Sequence, residues 1–390
     1  MRISPSQNFK FLTLLGYAVF AVLATATVLE LLSWVGWSAY RGLHPKPYQN
    51  GTASPAFAGD AWAPEFWREE SARVKLRKVY VPFRLWGAMA WHGKYVNDDE
   101  SEVGILRRTI NPVSSECERK RIVSIWMFGG STVYGTGVPD WATLPSQLSR
   151  DLNSGGTDCV MVTNFGVEAY VTNQELIMLV EQLKAGRNPD IVIFYDGVND
   201  SATAEPSYGP DAHYMYETIK ARFEGSLAGR LDFLRQSYTY RVVELMLEAL
   251  HRQRSSGLAV PDLQSKVLAV LDNYEANLRV VRTLGKAYGF RTDCFWQPSL
   301  YYGHKPLVPF EQQLVDAIDA EGDPRDPVII AAYKEAEQRG TKSEDFVFLG
   351  RLFDSVKDPL YIDHAHLGPR GNELVAHAMA KYIEDHSGPR

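Results

Sequence analysis

The stretch Ile122-Val123-Ser124-Ile125-Trp126-Met127-Phe128-Gly129-Gly130-Ser131-Thr132-Val133-Tyr134-Gly135-Thr136-Gly137 decides how the rest of the chain is read. An apolar, β-branched run halted by two glycines and a serine is the pattern of a buried strand that stops at a sharp turn. The turn leaves the Ser131 hydroxyl at the strand's carboxyl edge, where open α/β sheets carry their chemistry. A serine alcohol is weak at neutral pH, so a base and donors for the oxyanion it generates must come from elsewhere in the chain.

Outward from this strand, apolar runs alternate with helical periodicity. Strands are expected at Ile122–Phe128, Val160–Asn164, Ile191–Tyr195, Thr292–Gln297 and Phe346–Leu349. Helices are expected at Leu144–Leu152, Gln174–Lys184, Leu263–Tyr288, Phe310–Ile318, Val328–Gln338 and Arg370–Ile383. Such alternation implies a parallel sheet covered on both faces, and right-handed crossovers put every strand's carboxyl end on one edge. Two further strand ends then fall beside Ser131, namely Asn164-Phe165-Gly166 and Asp196-Gly197-Val198-Asn199-Asp200. The backbone N–H groups of Ser131 and Gly166 and the side-chain amide of Asn199 are expected to converge on one oxyanion.

The base is expected from Asp363 and His366, three apart in a turn before the last helix. At that spacing a carboxylate can bond one imidazole nitrogen and leave the other facing the serine. His364, adjacent to Asp363, would point away. Each motif alone is more often a plain turn or helix cap; their joint occurrence at strand ends and before the last helix carries the weight.

That ordered set resembles the SGNH (GDSL-type) hydrolase family, as a membrane-anchored bacterial member, over roughly Ile122 to Tyr382. The matching blocks are Gly129-Gly130-Ser131 with Gly135, Asn164-Phe165-Gly166, Gly197-Val198-Asn199-Asp200 and Asp363-His364-Ala365-His366. The resemblance implies a flavodoxin-like three-layer α/β/α sandwich around a mostly parallel five-stranded sheet. It implies Ser131, Gly166, Asn199 and His366 as signature positions, and esterase, lipase or acyl-transfer activity with no cofactor and no metal. Gly130 departs from the aspartate that many members carry, which bears on turn geometry more than on chemistry.

At the amino end, Phe11 to Leu29 carries no charge and the apolar character runs past Glu30 to Trp37. This is long enough to cross a hydrocarbon core of about 30 Å as a helix. Arg2 and Lys10 precede it and Trp34, Trp37 and Tyr40 fall where an interfacial aromatic belt would sit, which puts the amino end in the cytoplasm and the remainder outside. Arg41 and Lys46 on the far side pull against that orientation. Ala24-Thr25-Ala26 has the form of a signal-peptide cleavage site, so a removed leader stands beside a retained anchor.

The expected partition is a cytoplasmic tail (1–10), a transmembrane helix (11–37), a linker and accessory β-rich segment (38–120) and the hydrolase domain (121–385) with a helical insertion at about 201–262. Within the accessory segment, Val79 to Phe83 and Lys94 to Val96 look like short strands and Asn97-Asp98-Asp99 like a turn. In the insertion, Leu231 to His251 is amphipathic and reads as a lid, a packing element or a membrane-contacting helix. Over 390 residues the net charge is −6 with no basic block, which excludes a nucleic-acid footprint. Cys117, Cys159 and Cys294 make no metal spacing. Cys117 and Cys159 lie at the starts of neighbouring strands and could pair in an oxidising compartment, or all three could be ordinary buried thiols.

The expected function is a membrane-tethered extracytoplasmic serine esterase that removes O-acetyl groups from a cell-envelope or exported polysaccharide. Its partners would be an acylated glycan or other ester substrate and the membrane. Alternatives are an O-acetyltransferase using the same site with a membrane-bound acyl-donor protein, a lipid esterase, and a non-catalytic glycan-binding protein.

Overall fold

The computed structural model describes residues 5–43, 54–74, 78–118, 120–155, 158–204, 209–210, 212–213, 215–224, 237–254, 261–321, 325–342 and 345–386. Arg2, Lys46 and residues 231–236, on which parts of the sequence reading rest, lie outside them. The chain divides into two compact units, Met1–Lys46 with Glu217–Ala259, and Pro47–Tyr216 with Val260–Arg390.

In the first unit, α1 (Pro5–Leu43) is one uninterrupted helix that begins within the segment read as a tail. Its stretch Thr13–Tyr40 is long and apolar enough to cross a membrane, with an 18-residue window whose mean hydropathy is 2.0 and of which 0% is buried.

The second unit opens with α2 (Ala63–Arg73), the strands β1 (Trp91–His92), β2 (Asn97–Ser101) and β3 (Gly104–Arg107), and the single turn α3 (Ser114–Cys117). β1, β2 and β3 form a small antiparallel sheet. This corrects the sequence reading in two places. Asn97-Asp98-Asp99 is strand, not turn, because its polar side chains find partners: Asn97 Nδ2 donates to Asp140 at 2.7 Å, and Asp98 accepts the Tyr134 hydroxyl at 2.9 Å. Nor are residues 54–74, read within the linker, irregular, since they hold α2. Phe57 and Phe66 are buried in an aromatic cluster with Trp62, Trp67, Tyr95 and Trp141. Val79 makes only an isolated bridge to Gly87.

The main body follows as β4 (Ile122–Gly129), α4 (Ser131–Tyr134), α5 (Leu144–Asn153), β5 (Cys159–Gly166), α6 (Thr172–Lys184), β6 (Ile191–Asp196) and α7 (Val198–Ser201). The chain passes through the first unit as α8 (Tyr216–Phe223) and α9 (Tyr238–Arg254). It returns with α10 (Pro261–Tyr288), β7 (Arg291–Trp296), α11 (Pro309–Glu321), α12 (Asp326–Gly340), β8 (Val347–Phe348) and α13 (Pro369–Asp385). Five strands pair in the order β5-β4-β6-β7-β8, all parallel. One face is covered by α6, α10 and α12, through Leu179, Leu278 and Ala332 among others, and the other by α5 and α13, through Leu148 and Met379. The domain is therefore a three-layer α/β/α sandwich of flavodoxin-like order.

The register positions the chemistry. Gly129 stands opposite Gly166 on one side and Tyr195 on the other, so the turns leaving β4, β5 and β6 emerge side by side. Gly166 has to be glycine for packing: a Cβ there would lie 2.2 Å from the backbone nitrogen of Tyr134 on α4. Cys117 and Cys159 are joined in a disulfide with their Cα atoms 5.4 Å apart, and Cys294 is buried and unbridged.

Candidate active site

Ser131 is the first residue of α4, directly after the Gly129-Gly130 turn. Gly130 is pressed so close to the neighbouring turn that an added Cβ would sit 2.5 Å from Asn199 Nδ2 and 3.3 Å from the Tyr170 carbonyl oxygen. A side chain at this position would collide with the Asn199 amide and press on the Tyr170 carbonyl, which accounts physically for the glycine.

His366 comes from the far end of the chain, held by a closed turn. Tyr361 and Leu367 form an antiparallel bridge, and the Ile362 N–H donates to the His366 carbonyl at 3.0 Å. The entry to the turn is clamped by Glu311, which is buried, ion-paired to Lys305 at 2.6 Å, and accepts the N–H groups of Leu360 and Tyr361. Ser299 Oγ and the Leu300 N–H both donate to the His364 carbonyl, and the His364 ring packs edge-on against Tyr301. His366 instead faces the serine, with Nε2 2.6 Å from Ser131 Oγ and Nδ1 2.7 Å from Asp363 Oδ2. The other Asp363 oxygen accepts the N–H groups of Ala365 and His366 at 2.9 and 2.7 Å.

The electrostatics match this geometry. Burial alone would raise the Asp363 carboxyl, but the His366 imidazole and the two N–H donors more than reverse it and hold the group well below the usual carboxylate range. Burial likewise works against the charged imidazole of His366, yet the Asp363 carboxylate, with Glu168 and Glu70 further out, raises its pKa. A base with that partner stays correctly oriented and stabilises the proton it receives.

Asn199, the second residue of α7, donates through Nδ2 to the Tyr170 carbonyl at 2.8 Å; its amide has a second hydrogen. The expectation for Gly166 is corrected. Its N–H donates to Asn164 Oδ1 at 2.8 Å, while Asn164 Nδ2 donates to the Val133 carbonyl at 2.9 Å. The Gly166 amide is thus used to brace β5 against α4. The chain turns three residues later, at Ala169, which holds a left-handed φ of 67° without being glycine and whose carbonyl lies 2.7 Å from His213 Nε2. Few residues other than glycine adopt this region, and an alanine gives no warning of it in the sequence.

A second set of residues was not foreseen. Glu168 accepts from Thr136 Oγ1 at 3.0 Å and from Arg73 Nη2 at 3.3 Å, and Arg73 also pairs with Glu70. Arg107 of β3 bonds Asp140 and the carbonyls of Gly135 and Val138. The accessory segment therefore clamps the loop that follows α4. Its charges are invisible in a motif search because their partners are up to a hundred residues away. Next to Asn199 in the chain, Asp200 is buried with Glu175 and Asp196; burial raises all three carboxyls, and repulsion from the neighbouring carboxylates adds to it at Glu175 and Asp196. Among the described residues, no group of three or more His, Cys, Asp or Glu side chains is arranged to hold a metal.

No family model and no curated protein matches the chain. Among solved structures, it is similar to the acetyl xylan esterase AlAXEase at 13% identity, over 67% of this chain and 100% of the other, with a TM-score of 0.36. It is also similar to a lipolytic protein of the G-D-S-L family from Veillonella parvula (11% identity, 68% and 99% coverage, TM-score 0.34) and to a lipase/acylhydrolase from Enterococcus faecalis (14%, 69% and 98%, TM-score 0.35). At these scores the likeness carries no functional argument, and the reading rests on the chain's own residues.

Proposed function

We propose that the protein is a serine esterase in which Ser131 is the nucleophile, His366 the general base and Asp363 the residue that orients it. The observation that carries this is the unbroken hydrogen-bonded chain from Asp363 Oδ2 through His366 to Ser131 Oγ, with links of 2.7 and 2.6 Å. As Ser131 Oγ attacks an ester carbonyl, its proton passes to His366 Nε2. The tetrahedral intermediate collapses to an acyl-serine as the alcohol leaves with that proton, and water activated by the same imidazole releases the acid. The oxyanion is assigned to the Ser131 N–H, to the second amide hydrogen of Asn199, and to the N–H of Ala169 in place of Gly166. Packing of the Tyr170 carbonyl against Gly130 supports the last assignment, since it keeps the Ala169 turn beside the serine.

The substrate we infer is an O-acetylated carbohydrate reached outside the cytoplasm. Three observations support this. The apolar stretch Thr13–Tyr40 has the length and composition of a membrane anchor. The Cys117–Cys159 disulfide suits an oxidising compartment. The aromatic cluster containing Trp62 and Trp67 packs on Ile362, the residue before Asp363, and aromatic faces of this kind suit sugar rings.

The test is labelling by a fluorophosphonate probe, followed by a panel of acetylated oligosaccharides and long-chain esters. Wild type should be labelled and release acetate from the sugars, and Ser131→Ala should do neither. A Ser131→Ala protein that still cleaves an aryl acetate at the wild-type rate defeats the assignment. Acetate appearing on an acceptor sugar rather than in solution would make the enzyme a transferase.

A further inference from the structure

Glu30 is the only charged residue between Lys10 and Arg41, and so stands alone in the apolar stretch of α1. Its carboxylate is fully engaged. It accepts Ser237 Oγ at 2.7 Å, the Tyr238 N–H at 2.6 Å, the Thr239 N–H at 3.1 Å and Thr239 Oγ1 at 2.9 Å. The two N–H groups belong to the first turn of α9, where a helix has no internal acceptors and the positive end of its dipole. A carboxylate that is costly in a lipid-facing helix is thus matched to a helix end that needs an anion.

Between Tyr240 and Arg252 the sequence of α9 divides into three sectors when stepped at 100° per residue. Val242 and Leu245 are half-buried. Arg241, Glu244, Glu248, His251 and Arg252 fall together on a second sector. Val243, Met246 and Leu247, spaced as one stripe, are 48%, 61% and 54% exposed. That stripe belongs to the same unit as the exposed apolar surface of α1 and starts from a contact within it. Glu30 lies ten residues before Tyr40, about 15 Å along the helix axis, so α9 begins at a level inside the apolar stretch rather than beyond its end.

We infer that α9 is a second membrane-contacting helix, with the Val243, Met246 and Leu247 stripe against lipid acyl chains and Glu30 as the pin that sets its depth. This rests on α1 being a membrane span, and it is independent of the chemistry at Ser131. The polar sector faces headgroups and water, the arrangement of an amphipathic interfacial helix.

The experiment uses the full chain with Cys294→Ala, reconstituted in phosphatidylcholine and phosphatidylglycerol vesicles that carry nitroxide-labelled lipid. An environment-sensitive fluorophore is attached at Met246→Cys, at Leu23→Cys on α1, or at Lys286→Cys as the aqueous control. The expected result is quenching at Met246 and Leu23 at least twofold above Lys286. Quenching at Leu23 without quenching at Met246 overturns the inference and leaves the span standing. Absence of quenching at both positions removes the span and the inference with it. Efficient disulfide crosslinking between copies at Met246→Cys, with no quenching, assigns the stripe to a second copy instead and also overturns it. Glu30→Ala and Glu30→Gln should each lower the Met246 signal toward the Lys286 level, with hydrolysis of a water-soluble ester unchanged; wild-type quenching in both variants would overturn the pin.

Discussion

At the scale of single residues, the site depends on hydrogens held in place before substrate arrives. Asn199 is the clearest case, because one amide hydrogen is spent on the Tyr170 carbonyl and this orients the other. Asn199→Ala should lower kcat by roughly 10²–10³ with KM little changed, since the interaction is made mainly to the oxyanion. Steady-state kinetics on an aryl acetate would show it, and an equal loss in KM alone would refute it. His366 yields a prediction about pH. Its pKa is raised against burial by the Asp363 carboxylate, and a general base works only when deprotonated. Activity should therefore climb with pH through an acid limb lying above the ordinary histidine value of about 6.5. Asp363→Asn removes the raising charge, so the limb should shift downward while turnover falls by roughly 10³–10⁴. A kcat/KM profile with the same limb in both proteins would sink the pairing.

At the scale of elements, the end of β6 and the start of α7 carry buried carboxyls that make stability depend on pH. Glu175, Asp196 and Asp200 are buried with raised pKa values. A carboxyl whose folded pKa lies above its unfolded value keeps protons that the unfolded chain releases, so stability falls as pH rises from about 4 through the raised range. Glu175→Gln removes one of the three raised carboxyls. The difference in unfolding free energy between pH 5 and pH 8 should shrink by roughly 1–3 kcal/mol, measured by urea titration at both values; an unchanged difference would argue that the three groups do not share a titration. The accessory elements show where periodicity misleads. Asn97-Asp98-Asp99 has the composition of a turn but is held as strand by Tyr134, Asp140 and Arg108, partners that local propensity cannot register.

At the scale of the whole molecule, the Cys117–Cys159 disulfide closes a segment of sequence separation 42 that contains β4, Ser131 and α5. Loop-closure entropy of that size makes the bridge worth roughly 2–4 kcal/mol. Cys159→Ser, or reduction of the wild type, should lower stability by that amount in denaturant titration. Indifference of the midpoint to reductant would show that the bridge constrains little.

The main body was legible from its residues because each strand and helix there buries a continuous apolar face, and burial imposes a period of two or 3.6 that composition displays directly. The parallel sheet with its strand ends on one edge followed from the alternation of strands and helices and from crossover handedness, its flavodoxin-like order came only with the family resemblance, and the expected meeting of Ser131, Asn199, Asp363 and His366 rested on their places at strand ends and before the last helix. What only the tertiary structure decided were contacts that have no period. The Gly166 amide went to Asn164 rather than to the site, Ala169 took a left-handed turn that its side chain does not announce, and Glu30 met the first turn of a helix more than two hundred residues away. Each of these turns on where individual donors and acceptors meet in space, and hydrogen-bond partners that distant leave no pattern along the chain.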